Sequence, residues 1–312
     1  WATTVLKEYL THGYVINEKK LKEEQDKVKA RLIPIAFSAL GTDYTVGLTR
    51  AMELFFKTYV EACLQKPRSY NILGCCADEY LIENDIKEIQ QTLSEMFDYH
   101  CRMSYPLNTS LREIRFAAEA EFNIVLRQEA LPAAIWMKER FNIPYVFSDC
   151  YGIQEMKKLL KEVSEVIRVS PRCAQLDSVN ALSAHDKEKH VLILGNQNSA
   201  NGLLRCLTEE LEMHNVYAMA FSTTTHNKSI QPYKEEILEK QMRDTGPDIL
   251  IGNSILFDFP GHAPSIDIPL LKPVGIAMKT PRPHYPLRGI SGYNQLTLML
   301  EGKGKGNVLF GE

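Results

Sequence analysis

FNIVLRQEALPAAIWMKERFNIPYVF, residues 122–147, holds a short apolar run, a helical stretch and a second apolar run. The two runs are short and rich in Ile and Val, which suits buried strands, and the stretch between them has helical spacing. Two strands joined by a crossover helix pair in parallel, because a parallel pair requires a connection of about that length. In a layered α/β protein, ligands collect just past the C-terminal ends of such strands. Leu126, Arg127, Gln128 and Glu129 stand at that position after FNIV.

The same rhythm extends outward. LIPIAF, YNILG and HCRMSY precede the unit, separated by the helically spaced TVGLTRAMELFFKTYVEACL, ENDIKEIQQTLSEMF and TSLREIRFAAEA. After the helix GIQEMKKLLKEVSEVI comes SPRCAQLDSVNALSAHDKEK, which is polar, has no sustained period and reads as a connection. The rhythm then restarts with HVLILGN, the helix NGLLRCLTEELEMH, VYAMAFS, the helix PYKEEILEKQMRDT, DILIGNS, PVGIAM and GYNQLTLMLE. Alternation of this kind predicts an α/β fold of two Rossmann-like domains, each a parallel sheet flanked by helices. The expected organisation is a helical N-terminal segment over 1–31, a first domain over 32–169, a linker over 170–189, and a second domain over 190–312 ending in a helix and tail. Within the N-terminal segment, INEKKLKEEQDKVKAR reads as a solvated helix face or linker, with a partner-docking helix as the alternative.

At 312 residues the chain suits two domains better than one core. Its 24% charged residues and formal net charge of -3 give no global bias toward nucleic acid or an anionic membrane. No apolar run reaches the length of a membrane span, and WATTVLKEYLTHGYV lacks the pattern of a signal peptide, so the expected location is the cytoplasm. The chain begins at Trp1 rather than Met, and the expectation is a piece of a longer protein. The cysteines, Cys63, Cys75, Cys76, Cys101, Cys150, Cys173 and Cys206, form no CxxC pair and no secreted disulfide framework.

LILGNQNSANG follows a strand and precedes a helix, but Gly195 and Gly202 are too far apart for a dinucleotide fingerprint. It reads as a strand-to-helix turn with Asn198, Ser199 or Asn201 as the helix cap. The tail EGKGKGNVLFGE lacks the GK[ST] ending of a P-loop. Cys75 and Cys76 follow one strand and Cys150 another, so each is either a small packed hydrophobe or a soft ligand for a metal or cluster. The densest chemistry is KTPRPHYPLRG, residues 279–289, where Lys279, Arg282, His284 and Arg288 stand among three prolines. Stiff backbone and guanidinium forks suit an anionic ligand with several carboxylates, and a surface loop of unrelated charges is the alternative. Ser254, at the end of DILIGNS, belongs to the same strand-end rim.

AFSALGTDYTVGLTRAMELFF, FNIV, AAIWMKERFNIPYVF with YGI, HVLILGN, GPDILIGNS, IPLLKPVGI and RGISGYNQLTLMLE stand in an order that resembles one family. These are the component 1 proteins of nitrogenase and their relatives, including cofactor-assembly scaffolds and the reductases of protochlorophyllide and nickel-tetrapyrrole biosynthesis. The resemblance runs from about residue 32 to residue 301, and IPY with YGI, DILIGNS and the late GY are its most specific parts. Family subunits carry three Rossmann-like domains; this chain resembles the second and third, and the first is expected to be largely absent.

In nitrogenase itself a cysteine after the FNIV-like strand holds the iron-molybdenum cofactor, and that position falls here on Arg127 or Leu126. The family's histidine before GY matches close to Arg282, with His284 the nearby imidazole. The resemblance therefore implies a ligand other than the nitrogenase cofactor. It points to Arg127, Gln128, Ser254, Arg282, His284 and Arg288 as ligand-binding residues, with Cys75, Cys76 and Cys150 as metal contacts. The implied cofactor is an iron-sulfur cluster or a tetrapyrrole in the intact protein and none in this piece. The implied partners are a related component 1-type subunit and an ATP-dependent iron-sulfur reductase. A non-catalytic scaffold for metallocofactor assembly is the rival from another class, and a two-lobed solute-binding protein is a third.

Overall fold

The computed structural model describes residues 44–172, 182–222, 227–253, 264–271 and 285–303. The helical segment expected over 1–31, the strands LIPIAF and PVGIAM, and the C-terminal tail from residue 304 lie outside the described residues.

The first unit begins with α1 (Tyr44–Tyr59) and continues through β1 (Ser69–Cys75), α2 (Ile82–Phe97), β2 (His100–Pro106) and the short α3 (Leu111–Arg115). Then come β3 (Phe122–Val125), α4 (Leu131–Phe141), β4 (Tyr145–Phe147) and α5 (Ile153–Ile167). The strands pair in parallel in the order β2-β1-β3-β4. All residues of β1 and β3 are buried, as a sheet covered on both faces requires. One face packs against α2 and α5. Ile82, Ile86, Ile89 and Leu93 recur at helical spacing along α2 and meet Met156, Leu159 and Val163 of α5 in one core. The other face carries α1 and α4, with Met52, Phe56, Ala133 and Met137 in a separate core. Ser110 caps α3 in a reciprocal capping box with Glu113, which explains why this helix starts where it does.

The second unit follows a one-turn helix, α6 (Ala184–Lys187), and contains β5 (His190–Gly195), α7 (Gln197–Arg205), β6 (Asn215–Ala220) and β7 (Ile230–Pro232). It is completed by α8 (Glu235–Thr245), β8 (Ile249–Gly252), β9 (Ile266–Pro269) and α9 (Gly289–Leu300). Its five parallel strands run β7-β6-β5-β8-β9. Two of these strands, β7 and β9, carry no clear signal in the sequence, because IQP and IDIP are short and interrupted by polar residues or proline.

The helix after β5 begins at Gln197 rather than at Asn201, and a π-helical turn over Cys206–Glu210 ends it. Its cap is Asn196, not Asn198, Ser199 or Asn201. Asn196 keeps an extended backbone, and its Oδ1 accepts from the amides of Asn198 and Ser199, both at 3.0 Å. The last helix, α9, belongs to both units. Tyr293, Leu296 and Met299 enter the core of the second sheet, while the helix lies along α2 and α5 of the first.

Candidate functional site

In each sheet the strand order reverses at one point, between β1 and β3 in the first and between β5 and β8 in the second. Crevices beyond the C-terminal strand ends at such points are where doubly wound folds hold ligands. Gln128, after β3, and Gln197 and Asn198, after β5, line one shared cleft of about 580 Å³. Phe147, the last residue of β4, and Asp149 just past it form another wall, with Asn201 on α7 and Asn227 and Lys228 before β7 completing it. That volume is within the range of small-molecule sites, roughly 300–1,000 Å³.

The cleft is framed by a buried polar seam that joins the two units. Asn198 ties them directly: its Oδ1 accepts from the Gln128 amide at 3.0 Å and its Nδ2 donates to Glu129 at 2.9 Å. Glu79, just past β1, accepts from Asn196 at 2.6 Å, from the Ser199 hydroxyl at 2.8 Å and from Arg288 at 2.6 Å. Arg288 also donates to Asp85 at 2.7 Å and to the Asp149 carbonyl at 2.9 Å. Its guanidinium lies 4.5 Å from the ring centroid of Tyr151, a cation–π contact inside the core. Arg205 on α7 grips Asp149 with both terminal nitrogens, at 2.8 and 3.1 Å. At Gly202 an added Cβ would fall 2.6 Å from the Tyr151 ring and 2.8 Å from Asp149 Cγ, so only glycine allows α7 to approach this closely.

Helix ends are also satisfied across the seam. Glu210 accepts from the Ile153 and Gln154 amides at the start of α5, at 2.8 and 3.1 Å. In the opposite direction, Asp85 accepts from the amides of Leu287 and Arg288, and Glu88 from that of Ser291, at the start of α9. Negative side chains at these positions satisfy orphan amides and oppose the positive end of each helix.

Burial and charge compete at these groups. Burial raises the Glu79 carboxyl, but Arg288, Arg127 and the hydrogen bond from Asn196 more than reverse it, to about 2. At Asp85 burial prevails over the same guanidinium, and the carboxyl is raised.

The ligand-binding residues expected from sequence separate into three groups. Gln128 is exposed and lines the cleft. Arg127 and Arg288 are fully buried, and protein carboxylates occupy them. Arg127 meets Asp78 at 2.8 Å and Glu129 at 3.2 Å, and Gly74, with φ of 92°, lets β1 approach its backbone. Ser254, Arg282 and His284 lie outside the described residues.

Of the thiols, Cys75 and Cys150 share the core beneath α2 and α5, while Cys76 points to the opposite face of the sheet. Burial raises all three, Cys76 and Cys150 to about 12, so they are protonated at neutral pH. No group of three His, Cys, Asp or Glu side chains among the described residues is placed to hold a metal ion. These described thiols, split between the two faces of the sheet, do not fit an iron-sulfur cluster.

Sequence reading misses Asp78, Glu79, Asp85, Asp149, Asn201 and Glu210 as parts of this site. A signal exists for Asp78 and Glu79: paired acids a few residues past an apolar strand end, in a chain with unexplained arginines at the corresponding ends.

The profile of the nitrogenase component 1 type oxidoreductases matches residues 15–294. The chain belongs to that family. Among curated relatives, a light-independent protochlorophyllide reductase subunit from Methylocella silvestris is 26% identical over 197 residues, covering 58% of this chain and 38% of that protein. Its counterpart from Rubrivivax gelatinosus is 27% identical over 150 residues, covering 45% of this chain and 27% of that protein. The chain therefore spans less than half the length of these two relatives. The solved structure of nitrogenase Cp1 at pH 6.5 superposes with a TM-score of 0.65 over 96% of this chain and 73% of its own, at 13% identity. That likeness extends the family assignment to the fold, two parallel-sheet α/β units flanked by helices. No helix among the described residues is long and apolar enough to cross a membrane.

Proposed function

We propose that this component 1-type chain holds a small organic ligand in the cleft between its two sheets and serves as part of a reducing subunit. The observation that carries this reading is the convergence of strand ends from both sheets, β3 and β4 of the first and β5 of the second, on one cleft, fixed by Asn198, which bonds to Gln128 and Glu129 at once. The chain's own residues bind and orient the ligand, and the packed seam keeps water from its inner wall. Electrons arrive one at a time from an ATP-dependent iron-sulfur reductase, and a related component 1-type subunit pairs with the full protein. The reducible molecule is a tetrapyrrole or another small molecule rather than dinitrogen. Support comes from Arg127, which stands near the family's cysteine position and is occupied by Asp78 and Glu129.

A second reading is favoured by the split, protonated thiols: a scaffold that keeps the fold for metallocofactor handling without turnover. Iron, acid-labile sulfide and the absorption spectrum of the full-length protein, isolated without oxygen together with its co-purifying partners, separate the two. Stoichiometric iron and sulfide or a tetrapyrrole band supports the reductase. A colourless, metal-free complex sinks it and leaves the scaffold.

A further inference from the structure

Between β4 and α5 the first unit carries the loop 148–152, and the second unit holds this loop by its backbone. The carbonyls of Asp149, Cys150 and Tyr151, three in succession, accept from Arg288 Nε at 2.9 Å, the Gly289 amide at 2.9 Å and Arg205 Nη2 at 3.2 Å. The amides that follow, of Ile153 and Gln154, donate to Glu210. Arg205 ends α7 and Glu210 ends the π-helical turn after it, so one continuous helical stretch grips the loop at both ends. Within the loop the contacts are short-range: the Cys150 amide donates to Ser148 Oγ at 3.2 Å and the Tyr151 amide to Asp149 Oδ1 at 3.1 Å.

Two residues of the loop have positive φ, Gly152 at 89° and Cys150 at 60°. Glycine adopts that conformation freely, whereas a residue with a Cβ is strained there. Such strain persists only where the surroundings over-determine it, and here the determinants come from the other unit. We propose that this loop is a conformational switch, left-handed at Cys150 while the second unit grips it and relaxed to negative φ when released, which ties the place of Asp149 in the cleft wall to the docking of the two units. Asp149 lines the cleft and Arg205 holds its carboxylate, so release swings one wall. The Ser148 amide, bonded to the Val125 carbonyl of β3 at 3.0 Å, and the packed helix α5 fix the two ends and confine the change to the residues between them. The switch acts on the cleft whichever ligand the cleft takes.

Cys150 reports on the loop directly, because its thiol is fully buried in the core that also holds Cys75 of β1. Arg205→Gln removes the grip on Asp149 and Tyr151 while leaving Arg288, Gly289 and Glu210 in place. Iodoacetamide labelling of the full-length protein and of this variant, each below its melting transition, is followed by peptide mass spectrometry. Cys150 is expected to react about tenfold faster in the variant, the scale of one lost hydrogen bond to a charged group, with Cys75 unchanged. Equal Cys150 rates in the two proteins overturn the switch. Equal acceleration of both thiols also overturns it, because the whole core then loosens rather than the loop. Asp149→Asn weakens the same grip from the loop's side at nearly unchanged size and is expected to act in the same direction; a Cys150 as protected there as in the parent overturns the switch as well.

Discussion

Glu79 and Arg288, far apart in the sequence, meet at 2.6 Å with both side chains almost completely removed from solvent. One follows the first strand of the first sheet; the other caps the approach to the helix that closes the second. A buried pair of this kind contributes little against a well-packed apolar substitute, yet breaking it strands an unpaired charge. Arg288→Met should therefore destabilise the protein by roughly 3–5 kcal/mol in urea denaturation, because Asp85 loses its cation and Glu79 keeps only Arg127, at 4.0 Å. Glu79→Gln combined with Arg288→Gln should cost less than Arg288→Met alone. A single variant within about 1 kcal/mol of the parent would show that the seam is not what joins the two units.

Acid should loosen the same joint. The Glu79 carboxyl is held at about 2 when folded, below its ordinary 4.5, so its contribution is fully present above the ordinary value. It is lost as pH falls from about 4.5 toward 2. Asp85 has the opposite sign: its raised value means that protonation at low pH relieves a cost, which partly offsets the loss. Glu79→Gln should flatten the acid limb of a Tm-against-pH curve. An acid limb as steep in that variant as in the parent would assign acid lability to other groups.

The α/β alternation, the parallel sheets and the cleft side of the first unit are legible in the sequence because strands buried on both faces read as short apolar runs and α2 and α5 keep a 3.6-residue period. The place of Gln128, just past the end of β3, is legible for a related reason. The seam is not. Whether a charge after a strand meets solvent, a ligand or a partner charge 209 residues away is a tertiary fact, and Arg288 illustrates it. In sequence it belongs to a proline-rich cationic loop; in space Glu79 and Asp85 take up its charge. Asn196 does not stand out as a cap because three later residues offer equally good side chains and only its extended backbone distinguishes it.

Glu210 makes a separable prediction. Its carboxylate sits on the first amides of α5, and burial raises it despite the amides it accepts from and Arg205 nearby. Glu210→Ala should cost about 1–2 kcal/mol, the scale of a lost helix cap, and Glu210→Gln less. Hydrogen exchange should accelerate at Ile153 and Gln154 in the Ala variant and not along the middle of α5. Uniform acceleration through the whole helix would mean that the residue supports packing rather than the cap.

The thiols give a chemical check on packing. Cys75, Cys150 and Cys206 are fully buried with raised thiols, whereas Cys63 is partly exposed. Brief iodoacetamide treatment of the native protein, read by peptide mass spectrometry, should label Cys63 ahead of those three. Early labelling of Cys75 or Cys150 would contradict their placement beneath α2 and α5.

The ligand cleft is tested most directly by mass spectrometry of the small molecule carried by the full-length protein after isolation without oxygen, compared with Gln128→Trp. Gln128 is exposed and lines the cleft, so tryptophan there fills the space without disturbing the core. The expected result is a stoichiometric ligand in the parent and its loss from the variant at unchanged Tm. The same ligand at equal occupancy in both proteins would place binding elsewhere and contradict the account.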